Sequence, residues 1–201
     1  MATDKKNSLL KVFFKAGYIL RKKIEGYKLR YRFHETQYLF GDRISLPAHY
    51  YFPKFPEFNF DFSASKIIIH EGVACRGGLN FVFNNNSLIE VGENTYFNNN
   101  CSVNALESVQ IGSNCLFGEG VKVYDHNHQF RQEGVLTKDQ GYSTAAVKIG
   151  DNCWLGSNVV VLKGVVIGDN CVIGANCTVY QNVPANSVLV NGSKNTIKQY
   201  A

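Results

Sequence analysis

The sequence predicts an all-β chain wound as a triangular parallel prism, preceded by a helical leader. Two observations carry that prediction. From Ile149 to Val179 an apolar residue recurs every six positions, at Ile149, Leu155, Val161, Ile167, Ile173 and Val179, and Gly usually follows it. A small residue stands four places after each of the first five, at Cys153, Val159, Val165, Cys171 and Cys177. A hexad is too short to close a core by itself, so it must stack on copies of itself.

Each element follows from the hexad. Two or three extended residues form a flat side, and a turn with Gly or Asn supplies the positive φ that a corner requires. Three sides make a coil, and coils stack at roughly the 4.8 Å spacing of neighbouring strands. Upstream, the register catches Val91, Phe97, Val103 and Val109, slips by two, and resumes at Ile111, Phe117 and Val123. The slip predicts a bulge at one corner of the coil from Val91 to Ile111. Before Val91, the residues Ile67, Val73 and Leu79 keep the six-residue spacing, whereas Phe81, Val82 and Phe83 read as an ordinary strand. The prism is therefore expected over 65–190, with 124–148 extruded as a loop and 191–201 as a C-terminal tail.

Residues 1–64 form the leader and a connector. Leu9, Leu10, Phe13, Ala16, Gly17, Leu20 and Ile24 recur at helical spacings, with Lys11, Lys15 and Lys22 on the other side. Residues 1–43 hold eleven Lys or Arg against four acids, while the other 158 residues hold ten against twelve. The basic character thus belongs to the leader. Two readings of that helix stay open: packing on the prism or on a neighbouring subunit, and peripheral contact with an anionic membrane. Nucleic acid is not expected, because a basic stripe without a reading motif is weak evidence. The Pro- and aromatic-rich run over 47–62 implies an extended, packed connector.

Composition sets limits. The chain of 201 residues is 45% hydrophobic, enough for one well-buried domain with an appendage. It has no run of the length a membrane helix needs. Its first residues lack the order of a signal peptide, so a cytoplasmic protein is expected. Of six Cys, five (Cys101, Cys115, Cys153, Cys171 and Cys177) occupy position five of a hexad, where a small hydrophobe is wanted. No C-x-x-C pair exists, so neither a structural metal nor a disulfide is expected.

The one large break lies between Val123 and Ile149. A long polar excursion inside a compact repeat is usually functional. It opens with Asp125, His126 and His128, residue types that move protons or bind metals.

The run VKVYDHNH, the excursion, the repeats KIGDNCWLGSNVVVLKGVVIGDNCVIGANCTV and the closing NVPANSVLV resemble the hexapeptide-repeat acyltransferases. Within them the likeness is to sugar O-acetyltransferases related to maltose and galactoside acetyltransferases, over about Val91 to Lys198. The resemblance implies a left-handed parallel β-helix, a homotrimer, acetyl-CoA bound between neighbouring prisms, and direct transfer to a carbohydrate hydroxyl, such as that of a surface polysaccharide or its precursor. It implies a general base at His128, seventeen positions after Ile111. His126, two places earlier, points the same way on an extended segment, and Asp125 is a candidate to orient an imidazole. By the same resemblance Asn98 holds the acceptor and Trp154 flanks the CoA channel. The Ser157 N–H receives the thioester oxygen, and Ala175, on the next coil but one, contacts the pantetheine arm. Lys194, Lys198 or Lys163 meets the CoA phosphates, although Tyr180, Gln181 and Asn195 depart from the family pattern there. Two other classes share such a prism: a γ-carbonic-anhydrase-like metal enzyme, and a non-catalytic scaffold.

Overall fold

The computed structural model describes residues 64–192 without a break and, before them, 31–36, 38–41, 43–47, 52–54 and 56–60. It also describes the backbone of Thr196–Gln199 and, ahead of residue 31, only 15, 19–20, 23–24 and 27–28. The chain divides into two compact units, Met1–Leu39 and Phe40–Ala201. In the first unit every described residue is helical, as the leader periodicity predicts. Among the described residues no helix is long and apolar enough to cross a membrane.

The second unit is a left-handed β-helix of three parallel faces. Face I stacks Ile44–Ser45, Lys66–Ile69, Leu88–Val91, Ser108–Ile111, Val147–Ile149 and Val166–Ile167. Face II stacks Ala74–Cys75, Tyr96–Phe97, Leu116–Phe117, Trp154–Leu155, Val172–Ile173 and Ser187–Val190. Face III stacks Glu57–Phe60, Asn80–Phe83, Ser102–Ala105, Lys122–Tyr124, Val160–Val161 and Thr178–Val179. Position one of each hexad points into the prism. The buried columns are Ile69, Val91, Ile111, Ile149 and Ile167 on face I, then Cys75, Phe97, Phe117, Leu155, Ile173 and Leu189 on face II. Phe81, Val103, Val123, Val161 and Val179 form the third column. Burying one such aliphatic side chain is worth roughly 1.5–3 kcal/mol, so the columns hold the coils in register.

Position four is the corner residue. Asn94, Asn114, Asn152, Asn170 and Asn186 turn from face I to face II in the left-handed region, at φ between 53° and 57°. Asn tolerates that region because its short amide bonds locally. Here the amides also run along the prism: Asn152 donates to Asn170 at 2.9 Å, and Asn170 to Asn186 at 3.1 Å.

Position five holds the predicted cysteines, all buried and free. Their thiols donate to carbonyls of the next coil, as from Cys101 to Gly118 at 3.2 Å and from Cys171 to Pro184 at 3.0 Å. Burial pushes the Cys101 thiol up to about 11. Cys75 departs from this pattern. It stands at position one, paired with Phe97, and burial together with the neighbouring Cys101 pushes it up to about 12.

Cys75 marks a correction to the sequence register. The first coil runs Ile69, Cys75, Phe81, two residues out of phase with Ile67, Val73 and Leu79, because its III-to-I corner (84–87) carries extra residues. Phe81 and Phe83 belong to face III rather than to a separate strand. The prism also begins earlier than residue 65, since Ile44 pairs with Ile67 and Glu57–Phe60 pairs with Asn80–Phe83. Prolines between those two strands disguise them as a connector. At the other end, Thr196–Gln199 is a strand antiparallel to Ser187–Val190.

The two-residue slip lies where face III turns to face I, between Ala105 and Ser108. One coil on, at the same corner, the chain leaves the prism. His126–His128 and Tyr142–Thr144 form an antiparallel hairpin, with a 3-10 turn at Thr137–Asp139 near its tip. Tyr124 still belongs to face III, and Val147 already pairs with Val109 on face I, so the excursion is 125–146.

Candidate active site

The hairpin is rooted on a buried carboxylate. Val121, Val123 and Asp125 alternate along one strand, so the parity that buries the two valines also turns Asp125 inward, where it is fully buried. A lone buried carboxylate is costly, and this one is satisfied. It accepts the Leu106 N–H at 2.9 and 3.0 Å and the Glu107 N–H at 2.7 Å, both from the bulged corner. It also lies 2.9 Å from Nδ1 of His126. An ionised carboxylate only accepts, so Nδ1 carries the proton and Nε2 is left as an acceptor. His126 is thereby held in one tautomer and one orientation, with 18% of its side chain exposed.

Aromatic rings flank the two histidines. Tyr124 and Tyr142 meet the His126 ring edge-on, with centroids 6.1 and 5.4 Å away. His128 is exposed and has its ring 4.4 Å from that of Tyr142, its cross-strand partner. The resemblance gave the base to His128, but the structure gives the orienting carboxylate to His126. Asp125 was foreseen as an orienter only in general terms. Tyr142 was missed, because nothing in its local sequence marks a cross-strand partner for the histidines.

The remaining predicted residues lie elsewhere on the prism. Trp154 stands on face II between Leu116 and Val172, with 55% exposed. Ser157 and Ala175 are both at the corner between faces II and III. Ala175 is one coil beyond Ser157, not two: its backbone N comes within 2.6 Å of where a Cβ on Gly156 would sit. Asn98 is at the same corner, and its side-chain oxygen accepts the Asn99 N–H at 2.8 Å. Lys163 lies at the III-to-I corner, on the coil above the hairpin root. Lys194 lies outside the described residues. Lys198 has a described backbone, opposite Val188, and its side chain lies outside them.

Two kinds of corner can be told apart by their N–H groups. Between faces I and II, the Ser113 N–H donates to Asp151 at 2.7 Å and the Asp151 N–H to Asp169 at 2.8 Å. Between faces II and III, in the coils after the hairpin, the residues at the same hexad position are Ser157 and Ala175. Ala175 has no carboxylate to offer, and among the described residues no acceptor meets the N–H of Ser157. A backbone donor left open on an exposed corner suits an incoming carbonyl oxygen.

The hairpin leaves face III and returns to face I, so it stands at the corner opposite face II. One chain therefore does not bring His126 and Trp154 together. Among the described residues no three His, Cys, Asp or Glu converge as metal ligands.

Comparison with known proteins agrees with this architecture. Residues 146–181 match the family model for the bacterial transferase hexapeptide (six repeats). No curated protein matches the chain. A galactoside acetyltransferase solved in complex with coenzyme A is 30% identical, with a TM-score of 0.53, and the match covers 64% of each chain. This chain thus spans just under two thirds of that protein. A maltose O-acetyltransferase from Clostridium difficile 630 is 21% identical over 90% of this chain and 86% of its own, with a TM-score of 0.56. An N-acyltransferase from Bacillus cereus, in complex with dTDP and 3-hydroxybutyryl-CoA, is 13% identical over 82% and 87%, with a TM-score of 0.65. At such identities the last two speak to the fold. The chain carries the hexapeptide repeat over 146–181, and its fold is that of the hexapeptide-repeat acetyltransferases.

Proposed function

We propose that this protein is an acyltransferase that takes an acetyl group from acetyl-CoA and passes it to a sugar hydroxyl of a surface polysaccharide or its precursor. The observation that carries the reading is the Asp125–His126 pair at the root of an extruded hairpin. An imidazole fixed through Nδ1 presents Nε2 to an acceptor hydroxyl. The likeness to a galactoside acetyltransferase that binds coenzyme A supports both the donor and the acceptor class.

The proposed chemistry is direct transfer. Nε2 of His126 takes the hydroxyl proton as the acceptor oxygen attacks the thioester carbonyl. Charge developing on the carbonyl oxygen is met by the Ser157 N–H, a type of donor whose loss costs about 2.7–4 kcal/mol in comparable sites. When the carbon–sulfur bond breaks, the imidazolium returns its proton to the departing thiolate. Asp125 stabilises the imidazolium in between. Because the hairpin and face II are opposite each other in one chain, the complete site needs the hairpin of one copy beside Trp154 and Ser157 of another. A homotrimer supplies three such pairings. The reduced thiols inside the prism fit a cytoplasmic setting.

Thiol release from acetyl-CoA, measured against a panel of sugars and amino sugars, tests the reading. A hydroxyl-bearing sugar is expected to stimulate release. His126→Ala should lower turnover by about 10²- to 10⁴-fold while acetyl-CoA affinity stays within a few fold, and His128→Ala should do far less. Reversal of the two histidine results moves the base to His128. Failure of the folded trimer to bind any CoA thioester rejects the enzyme.

A further inference from the structure

The leader helix has a face that the prism chemistry does not use. Leu20, Ile24, Tyr27, Tyr31 and Tyr38 follow one another at steps of four, three, four and seven, so they lie on one stripe. All five are exposed, from 46% at Ile24 to 90% at Tyr38. Phe33 and Thr36, on the opposite side, are half-buried.

An exposed apolar stripe marks an interaction surface, and its edges specify the partner. Lys23 and Lys28 border it on either side and are exposed, with Lys15 and Arg32 further round. Between positions 15 and 40 there are seven Lys or Arg and two Glu. Glu35 is exposed on the Lys28 border, and the excess of cations over this one acid favours an anionic surface. The stripe itself runs from aliphatic at Leu20 and Ile24 to tyrosine at 27, 31 and 38. Tyrosine places an apolar ring and a polar hydroxyl at a boundary, as at a membrane interface. A second copy of the helix would set these lysine borders against each other, which like charge disfavours.

We propose that this helix binds in the plane of an anionic lipid bilayer. Leu20, Ile24 and the tyrosine rings enter the headgroup–acyl boundary, and Lys23 and Lys28 meet lipid phosphates. This stands independently of the acyltransferase reading.

The test is co-sedimentation of the full chain with vesicles of phosphatidylcholine alone and of phosphatidylcholine with phosphatidylglycerol. Binding is expected to the anionic vesicles and to weaken with added salt. Lys23→Ala with Lys28→Ala should lower partitioning about thirtyfold, at roughly 1 kcal/mol per cation. Ile24→Ser with Tyr31→Ser should abolish it, while the thermal melt of the prism stays unchanged in both variants. Equal binding to both vesicle types, or none to either, overturns the proposal. So does a larger assembly in solution that Ile24→Ser with Tyr31→Ser dissolves, which would assign the stripe to another protein chain.

Discussion

The two regular corners of the prism use the same hexad and differ at one position. Where face I meets face II, position three is Asp at 151 and 169, and each carboxylate caps the N–H of the coil before it. Where face II meets face III in the coils after the hairpin, position three is Ser157 and then Ala175, and the Ser157 N–H stays open. Both corners also place Gly at position two, where a Cβ would collide. At Gly150 it would meet the Asp169 carboxylate at 2.2 Å, and at Gly156 the Ala175 backbone at 2.6 Å. The backbone turn is alike at both corners, and the side chain of the next coil decides whether a donor is capped or left open.

The sharpest way to break that contrast is to move the carboxylate. Ala175→Asp should cap Ser157 as Asp169 caps Asp151. If Ser157 is the oxyanion donor, turnover should fall about 10²- to 10³-fold with the melting temperature held or raised. An active Ala175→Asp protein would sink that role for Ser157. The reverse change is smaller. Asp151→Ala leaves the Ser113 N–H without its partner and should lower stability by about 1 kcal/mol, read by denaturant titration, with turnover unaltered. A large loss of activity there would mean that the corner between faces I and II also touches substrate.

An effect confined to alkaline solution concerns two buried thiols. Burial raises the Cys75 and Cys101 thiols to about 12 and about 11, from the ordinary thiol value of 9.0. Between those limits the folded chain holds more protons than the unfolded one, so stability falls as pH rises. It should be constant below pH 9 and decline from there toward pH 12, as read by unfolding midpoints. Cys101→Ala should flatten part of that decline.

Much of the upper prism was legible in the sequence. The columns from Val91 onward follow the hexad, the two-residue slip is the bulge at 105–108, and the five cysteines fall where a small buried side chain fits. The lower coils were less legible. Extra corner residues shift the phase, so Ile67, Val73 and Leu79 mimic a register that Ile69, Cys75 and Phe81 hold. For the site, periodicity located the excursion and its histidines. It could not rank them, because the orienting contact depends on a carboxylate turned inward by strand parity and satisfied by a corner about twenty residues earlier. That pairing is long-range, and a local motif carries no trace of it.

Asp125 has a consequence for how variants of this protein are interpreted. One carboxylate group closes the bulged corner through Leu106 and Glu107 and steers His126. Any replacement at 125 therefore mixes a folding defect with a chemical one in a single readout. A genetic screen for inactive alleles would recover position 125 readily and reveal little about mechanism. Alleles at 126 separate the two, because the ring can be removed while the corner keeps its cap.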